Sequence, residues 1–363
     1  MSNDSSSPAL LKHLNQIVQT NCNISDARSA ADYTLCIYLL KMREYYRWEK
    51  KLPFETRLPK KEIGEWITDR ESLWDNLIDS DYQAMEIDGT SLNPFETESI
   101  NAALLPHGLV YSGGLGNHQH PHFFLGKLHK QVRKNGHTIL VSNEEYARDL
   151  TAPPAMTLNK TIFIRRESLR RMIWERFEEW MWKKNEGAMS RALEFYDFDT
   201  DLNKALESIT DHELETVLLH ELGEIEAGEL ISKHFLETLS PNIQWHDMLA
   251  SLPRSRTEIM ARAVRDNLAD CLSTLPALLE QQDPASLHFF FGNFSAMRKE
   301  LFPGLLNAYH QWINNKRLEQ IESIVQMGAK HWLDIAKGML GLFQEQGNQS
   351  ISDIETLALN NKL

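Results

Sequence analysis

The sequence predicts an α+β protein, with a small, largely antiparallel sheet in the middle of the chain and a mainly helical C-terminal half. Apolar residues recur at helical spacing at the start of the chain and again after residue 165. Between these stretches, short apolar runs alternate with Pro and Gly, as in strands joined by turns. The pattern divides the chain into an N-terminal helical region 1–80, a small β-containing region 81–165, a helical domain 166–345 and a polar tail 346–363.

The composition is that of a globular protein, with 363 residues, 42% of them hydrophobic and 25% charged. Lys and Arg number 38 against 51 Asp and Glu, a net charge of −13, which disfavours nucleic-acid and anionic-membrane partners. The three cysteines form no Cys-x-x-Cys pair, which favours a reducing compartment. Neither a secretory signal nor a long apolar segment is recognisable, so we expect a cytoplasmic protein.

Helices are expected first over residues 9–51, in two pieces, and over 61–78. Strands are expected at 109–111, 122–125, 138–141 and 161–164, with Asn135-Gly136 as a hairpin turn. Further helices are expected at 166–184, 188–196, 211–238, 244–251, 256–280, 284–313 in two pieces and 317–344. Capping-box patterns at Thr210 and Ser255 predict where two of these helices begin.

The most informative motif is His-Glu-x-x-Glu, formed by His220, Glu221 and Glu224 in the predicted helix 211–238. His220 and Glu224 lie about 40° apart on the helical wheel, opposite the charged face, so both are expected to point inward. Two donors one turn apart can bind one ion, and Glu221 could act as the base on its bound water. The other interpretation is a buried structural network of His220 and Glu224.

This motif resembles the His-Glu-x-x-His motif of zinc peptidases, with Glu224 in place of the second histidine. The exchange of a ligand puts zinc and peptidase chemistry in doubt, because a histidine and a carboxylate suit iron or manganese equally well. The cofactor expected is therefore a divalent metal: zinc, iron or manganese.

A second group of candidate ligands is His118, His120 and His122. At alternate positions of a strand they would share one face and could complete a metal site or orient a substrate. The glycine-rich stretch 113–116 instead indicates a loop, where alternation has no such meaning, and His122 could be a hydrogen-bonded core residue. The same glycines could also bind a phosphate or carboxylate through backbone N–H groups.

Asp266 and Asp270 lie one turn apart in the predicted helix 256–280, opposite its apolar stripe. The simpler interpretation is a solvated face with an Arg262–Asp266 ion pair. The alternative is that this acidic face packs over the His220 helix and supplies a further ligand, as in helical di-metal carboxylate proteins.

Four stretches of the chain together resemble an uncharacterised family of bacterial proteins of unknown function. They are Gly113–Leu125, the region from Tyr146 to Met156, Thr161–Arg171 and Leu219–Glu224. The resemblance covers most of the chain and implies a bacterial, cytoplasmic protein, but it assigns no catalytic residues.

The sequence as a whole therefore predicts a metal-dependent enzyme. The favoured reaction is hydrolysis of a small-molecule or peptide substrate. His220 and Glu224 would be ligands and Glu221 the base. Two alternatives stay open: a non-haem iron oxidase with Asp266 and Asp270 as extra ligands, and a non-catalytic binding or scaffold protein with a buried His/Glu network.

Overall fold

The computed structural model describes residues 8–116, 119–184, 186–238, 244–253, 255–294 and 296–363. The chain forms two compact units, Met1–Trp174 and Glu175–Leu363. The predicted α+β class is confirmed, because the strands lie in the first unit and the second is helical. Among the described residues, no helix combines the length and the apolar character needed to cross a membrane.

The first unit begins with three helices and continues into a β-rich region. Its helices are α1 (Pro8–Ser29), α2 (Leu35–Glu49), α3 (Lys60–Leu77) and α4 (Thr97–Leu104), and α5 (Arg166–Lys183) continues into the second unit. Its strands are β1 (Met85–Ile87), β2 (Thr90–Leu92), β3 (Leu109–Leu115), β4 (Pro121–Lys134), β5 (His137–Arg148), β6 (Ala155–Leu158) and β7 (Thr161–Arg165).

The main sheet has five strands in the order β3-β4-β5-β7-β6, and all neighbours are antiparallel except β5 and β7. The four strands expected from the sequence are β3, β4, β5 and β7. The predicted hairpin turn is also confirmed: Asn135 and Gly136 have φ angles of +51° and +80° and join β4 to β5. Two successive residues with positive φ match the right-handed twist of the flanking strands.

Helix α4 lies along the outer edge of β3. The Asn101 side chain bonds both the N–H and the carbonyl of Tyr111, at 2.9 and 2.7 Å. The Thr97 hydroxyl does the same for Gly113, at 3.0 and 2.6 Å. Two side chains of a helix thus satisfy backbone groups that a further strand would otherwise bond.

The second unit is a bundle of helices. Its elements are α6 (Ala188–Leu193), α7 (Leu202–Thr238), α8 (Trp245–Ser251), α9 (Arg256–Ala269), a π-helical turn (Asp270–Thr274), α10 (Leu275–Gln281), α11 (Pro284–Asn293), α12 (Ala296–Leu301), α13 (Pro303–Asn315), α14 (Glu319–Gln346) and α15 (Ile351–Asn360). Helix α9 lies in the centre, where it contacts α7, α12, α14 and α15.

Two local expectations about this unit are wrong. Helix α7 begins at Leu202, so Thr210 lies inside it and donates its hydroxyl hydrogen to the Leu206 carbonyl instead of capping an end. The segment expected as a polar tail forms α15, because Ile354 and Ala358 recur one turn apart and are buried in the core. Ile351 and Leu357 also pack against this core, so the helix docks through an apolar face.

Gly223 permits a close approach of α7 to the end of α9. A Cβ atom on Gly223 would lie 2.3 Å from the Ala269 carbonyl oxygen. The backbones therefore meet where a side chain cannot fit, and this contact sets the spacing between the two helices.

We expect Gly223→Ala to destabilise the protein by about 1–3 kcal/mol, because overpacking outweighs the gain of about 1 kcal/mol in helix propensity. The matched control is Gly228→Ala on the same helix, where a Cβ meets nothing within 4 Å. That variant should be neutral or slightly stabilised. Urea denaturation followed by circular dichroism measures both, and equal stability of the two variants would contradict the tight contact.

His288 is a core residue of α11. It is 6% exposed, packs on Trp312 and hydrogen-bonds the Tyr309 hydroxyl at 2.9 Å. Burial, with Arg191 and Lys316 nearby, lowers the pKa of His288 to about 4. The ring is therefore neutral in the folded protein at pH values where the unfolded chain already protonates it.

Below pH ~6.5 the unfolded state takes up a proton at His288 that the folded state does not. The contribution of neutral His288 to the free energy of unfolding is therefore present above that pH and is lost on acidification towards pH 4. We expect wild type to lose up to roughly 3 kcal/mol over this interval through His288. The variant His288→Gln should lack this part of the change in unfolding free energy with pH, whereas His310→Gln, at an exposed histidine of α13, should retain it. Denaturation midpoints across the pH range measure the difference, and identical slopes would refute it.

Candidate metal centre

Helix α7 places His220 and Glu224 side by side. Both point into the second unit, as predicted, with side chains 29% and 24% exposed, and the His220 Nε2 to Glu224 Oε1 distance is 3.6 Å. The spacing of four residues brings them to one face of the helix. The pair is therefore partly buried but open on one side.

Asp270, from the π-helical turn, holds the His220 ring in place. Its Oδ1 lies 2.8 Å from His220 Nδ1, and its side chain is only 2% exposed. The other carboxylate oxygen, Oδ2, contacts the Arg298 guanidinium from α12. Because an ionised carboxylate only accepts hydrogen bonds, Nδ1 carries the proton, which leaves Nε2 facing Glu224.

Asp266, one turn before Asp270, completes a group that we call the donor triad: His220, Glu224 and Asp266. Each residue offers one ligand atom, and these atoms all lie within 4.8 Å of one another. Donors bound to one first-row metal ion at about 2.0–2.2 Å stand roughly 3–3.5 Å apart, so a small contraction would let the three share an ion. Among the residues that the structure describes, this is the group with such geometry.

Arg265 lies across the donor triad. Its Nη2 donates to Glu224 Oε1 at 2.5 Å and to Asp266 Oδ1 at 3.2 Å. Burial alone would raise the pKa of Glu224, but Arg265 and His220 outweigh it and hold that pKa well below its ordinary value. Burial likewise works to lower the pKa of His220, and the carboxylates of Glu224 and Asp266 outweigh it and raise that pKa. His220, Glu224 and Arg265 therefore favour their charged forms.

Glu221, the predicted base, is 8% exposed, and its charge contributes to raising the pKa of Arg265. It therefore lies near the cluster, one residue after His220 in α7. Its role as a base on bound water stays a prediction.

The acidic face of α9 differs from the simpler interpretation of the sequence. Arg262 pairs with Glu258, not with Asp266, which pairs with Arg265. Asp270 is buried, so the two aspartates do not form a solvated face. The structure brings both beside His220, the arrangement of the alternative interpretation.

The histidine-rich segment belongs to the first unit. His118 lies outside the described residues. His120 Nε2 is 3.1 Å from Asp32, whereas His122 Nδ1 is 2.8 Å from buried Asp149. The two rings thus have separate carboxylate partners, which favours a structural role over convergence on one ion. That the histidines complete a metal site at His220 or orient a substrate there stays a prediction.

Asp149 is the stronger of these partners. Burial works to raise its pKa, but the charge and hydrogen bond of His122 outweigh this and lower it. Buried Asp26 has the opposite environment: burial and the nearby Asp149 raise its pKa well above the ordinary value. This network ties α1 to the strands β4 and β5, as a core polar network does.

The glycines at 113–116 are closely packed, and two of their amides are already hydrogen-bonded within the protein. The Gly113 and Gly116 amides already donate to the Thr97 hydroxyl and to the His120 carbonyl, at 3.0 and 2.8 Å. A Cβ on Gly114 would lie 2.4 Å from Leu158. The suggested phosphate or carboxylate cradle therefore lacks those two donors.

Sequence reasoning missed two arginines, Arg265 and Arg298, which together with the donor triad and Asp270 form the charged cluster of this site. Arg265 directly precedes Asp266 on the same predicted helix, so the sequence could have indicated this arginine. Arg298 is 28 residues beyond Asp270 on another helix, and no periodicity links the two.

Comparison with known protein families finds matches over most of the chain. Residues 13–165 match the N-terminal domain, and residues 170–361 the C-terminal domain, of a family of unknown function (DUF6866). The predicted resemblance to an uncharacterised family is thereby confirmed. No curated protein and no solved structure matches the chain.

Proposed function

The chain belongs to the DUF6866 family of unknown function, and from its own residues we propose that it is a metal-dependent enzyme, a hydrolase that activates water at the donor triad. The observation that carries this proposal is the pair formed by Asp270 and His220. A buried carboxylate that accepts from Nδ1 orients the ring and raises the basicity of Nε2, as is usual behind metal-bound histidines.

The residues have distinct roles in this proposal. His220 Nε2, Glu224 and Asp266 hold the ion, and three protein ligands leave a coordination position open for water. A divalent ion there would lower the pKa of its bound water towards neutrality. Glu221 would take the proton of that water. Since both donors of α7 are partly exposed, a small-molecule or peptide substrate could approach from the open side.

Two alternatives rest on specific observations. One histidine with two carboxylates also suits iron, so the same residues could form an oxidase, and the identity of the metal decides between these chemistries. The ion pairs of Arg265 and Arg298 favour the other alternative, a scaffold or binding protein, because buried carboxylates with cationic partners need no metal.

We further propose a cytoplasmic protein, and, from the resemblance of its sequence to bacterial proteins, a bacterial one. Its three cysteines are free, and two of them, Cys22 and Cys271, are buried. Burial raises the pKa of both thiols, which keeps them protonated and unreactive. Free thiols fit a reducing compartment.

Protein purified without a histidine tag or chelator should contain about one equivalent of zinc, iron or manganese, because the donor triad supplies three ligands. His220→Ala and Glu224→Ala should lose it while keeping their helical circular dichroism. His246→Ala, at a histidine whose side chain is 74% exposed, should keep it. Plasma mass spectrometry measures the metal.

Two results would count against the proposal. A fully folded, metal-free wild type that takes up none of these ions would favour the scaffold alternative. Full metal content in Glu224→Ala would remove Glu224 from the ligands.

Asp270→Asn tests the orientation of the ring separately. We expect the variant to bind the same amount of metal with an affinity lower by about 10–100-fold, because the amide can present its N–H group to Nδ1. Asp283→Asn is the matched control, since Asp283 contacts His212 at 2.5 Å outside the triad. Competition with a chromogenic chelator gives the dissociation constants. Equal affinities of wild type and Asp270→Asn would contradict an orienting role.

A further inference from the structure

Arg265 occupies the space in which the proposed ion would be shared. Both of its hydrogen bonds to the triad come from one atom, Nη2, which contacts Glu224 and Asp266 at 2.5 and 3.2 Å. These are two of the three residues whose donor atoms converge. Because Nη2 already takes one oxygen of each carboxylate and its positive charge repels a metal ion, the guanidinium and the ion compete for these two side chains.

The charges of the cluster show what an exchange would do. Glu224, Asp266 and Asp270 carry three negative charges, and Arg265 and Arg298 carry two positive ones. Protonated His220 adds a third positive charge, so this group is neutral overall. A divalent ion that replaces both Arg265 and the Nε2 proton of His220 keeps the balance together with Arg298, and Arg265 is then a cation without an anionic partner in the triad.

The side chain of Arg265 can leave. It is 22% exposed, so it already borders solvent. Its Nε is buried and has no hydrogen-bond partner within the described part of the chain. The guanidinium is therefore held through the carboxylates, and loss of those to a metal ion removes its attachment while it stays beside the site.

We propose that Arg265 is an internal cation that pairs with the carboxylates of the metal-free site. Metal binding releases it to bind the anionic group of a substrate. This inference rests on the proposed function and adds the substrate class: a molecule with a phosphate or carboxylate group next to the bond that is hydrolysed. A guanidinium binds either group through two parallel hydrogen bonds.

The experiment compares Arg265→Gln with wild type in the full-length protein, using Mn²⁺ and inorganic phosphate or acetate as probes. Removal of the competing charge should tighten Mn²⁺ binding by about tenfold or more. Phosphate or acetate should bind wild type only when Mn²⁺ is present, and should bind Mn²⁺-loaded Arg265→Gln at least about tenfold more weakly. Calorimetry measures both, with the stronger probe identifying the anionic group.

Two further variants separate this exchange from general damage. Arg262→Gln on the same helix also removes an arginine that pairs with a carboxylate, that of Glu258, and should change neither affinity. Arg265→Lys keeps the charge in a folded site, so its Mn²⁺ affinity should stay near that of wild type. A purely structural role of Arg265 would instead weaken both Mn²⁺ and anion binding in Arg265→Gln.

Each proposal can fail separately. Unchanged or weaker Mn²⁺ binding by Arg265→Gln would overturn the competition, and unchanged anion binding by Mn²⁺-loaded Arg265→Gln would overturn the substrate class, while the metal site would stand. Mn²⁺ binding by Arg265→Gln but not by wild type would support the competition and count against a metal-dependent wild type. If neither protein binds Mn²⁺, nor Zn²⁺ or Fe²⁺ in the same titration, both proposals are overturned.

Discussion

The close contact between α7 and the end of α9 at Gly223 determines the arrangement of the whole cluster. His220 precedes Gly223 by one turn, Glu224 follows it directly, and Asp270 follows Ala269, whose carbonyl Gly223 contacts. A larger residue at 223 would separate the helices, and hydrogen bonds of 2.8 Å do not tolerate such a shift. The polar geometry thus depends on a backbone contact between Gly223 and Ala269, two residues that have no polar side chain.

Asp270 shows how a buried charge is accommodated in this core. A carboxylate that is 2% exposed costs several kcal/mol unless it is paired and hydrogen-bonded. Here one oxygen accepts from His220 and the other contacts Arg298, so three helical elements meet at one side chain. The same partners that stabilise the carboxylate also prevent rotation of the imidazole, and the ring is oriented before any ligand arrives.

Periodicity predicted most elements, because the core-facing residues of α7, of α14 and of the sheet repeat at regular spacing. It also placed His220 and Glu224 on an inward face. It failed for Asp270, since a helical wheel assumes one buried and one solvated face, whereas α9 is covered on several sides. The position of Arg298 depends on tertiary packing, and the start of α7 was missed because a capping pattern at Thr210 also fits a helix interior.

The side chains of α4 have a consequence for association between molecules. Strand β3 is apolar and lies at the end of the sheet, where an exposed backbone would offer a template for a strand of another chain. Thr97 and Asn101 occupy that backbone with four hydrogen bonds. An incoming strand would first have to break them and displace a packed helix, so this edge is protected against aggregation by sheet extension.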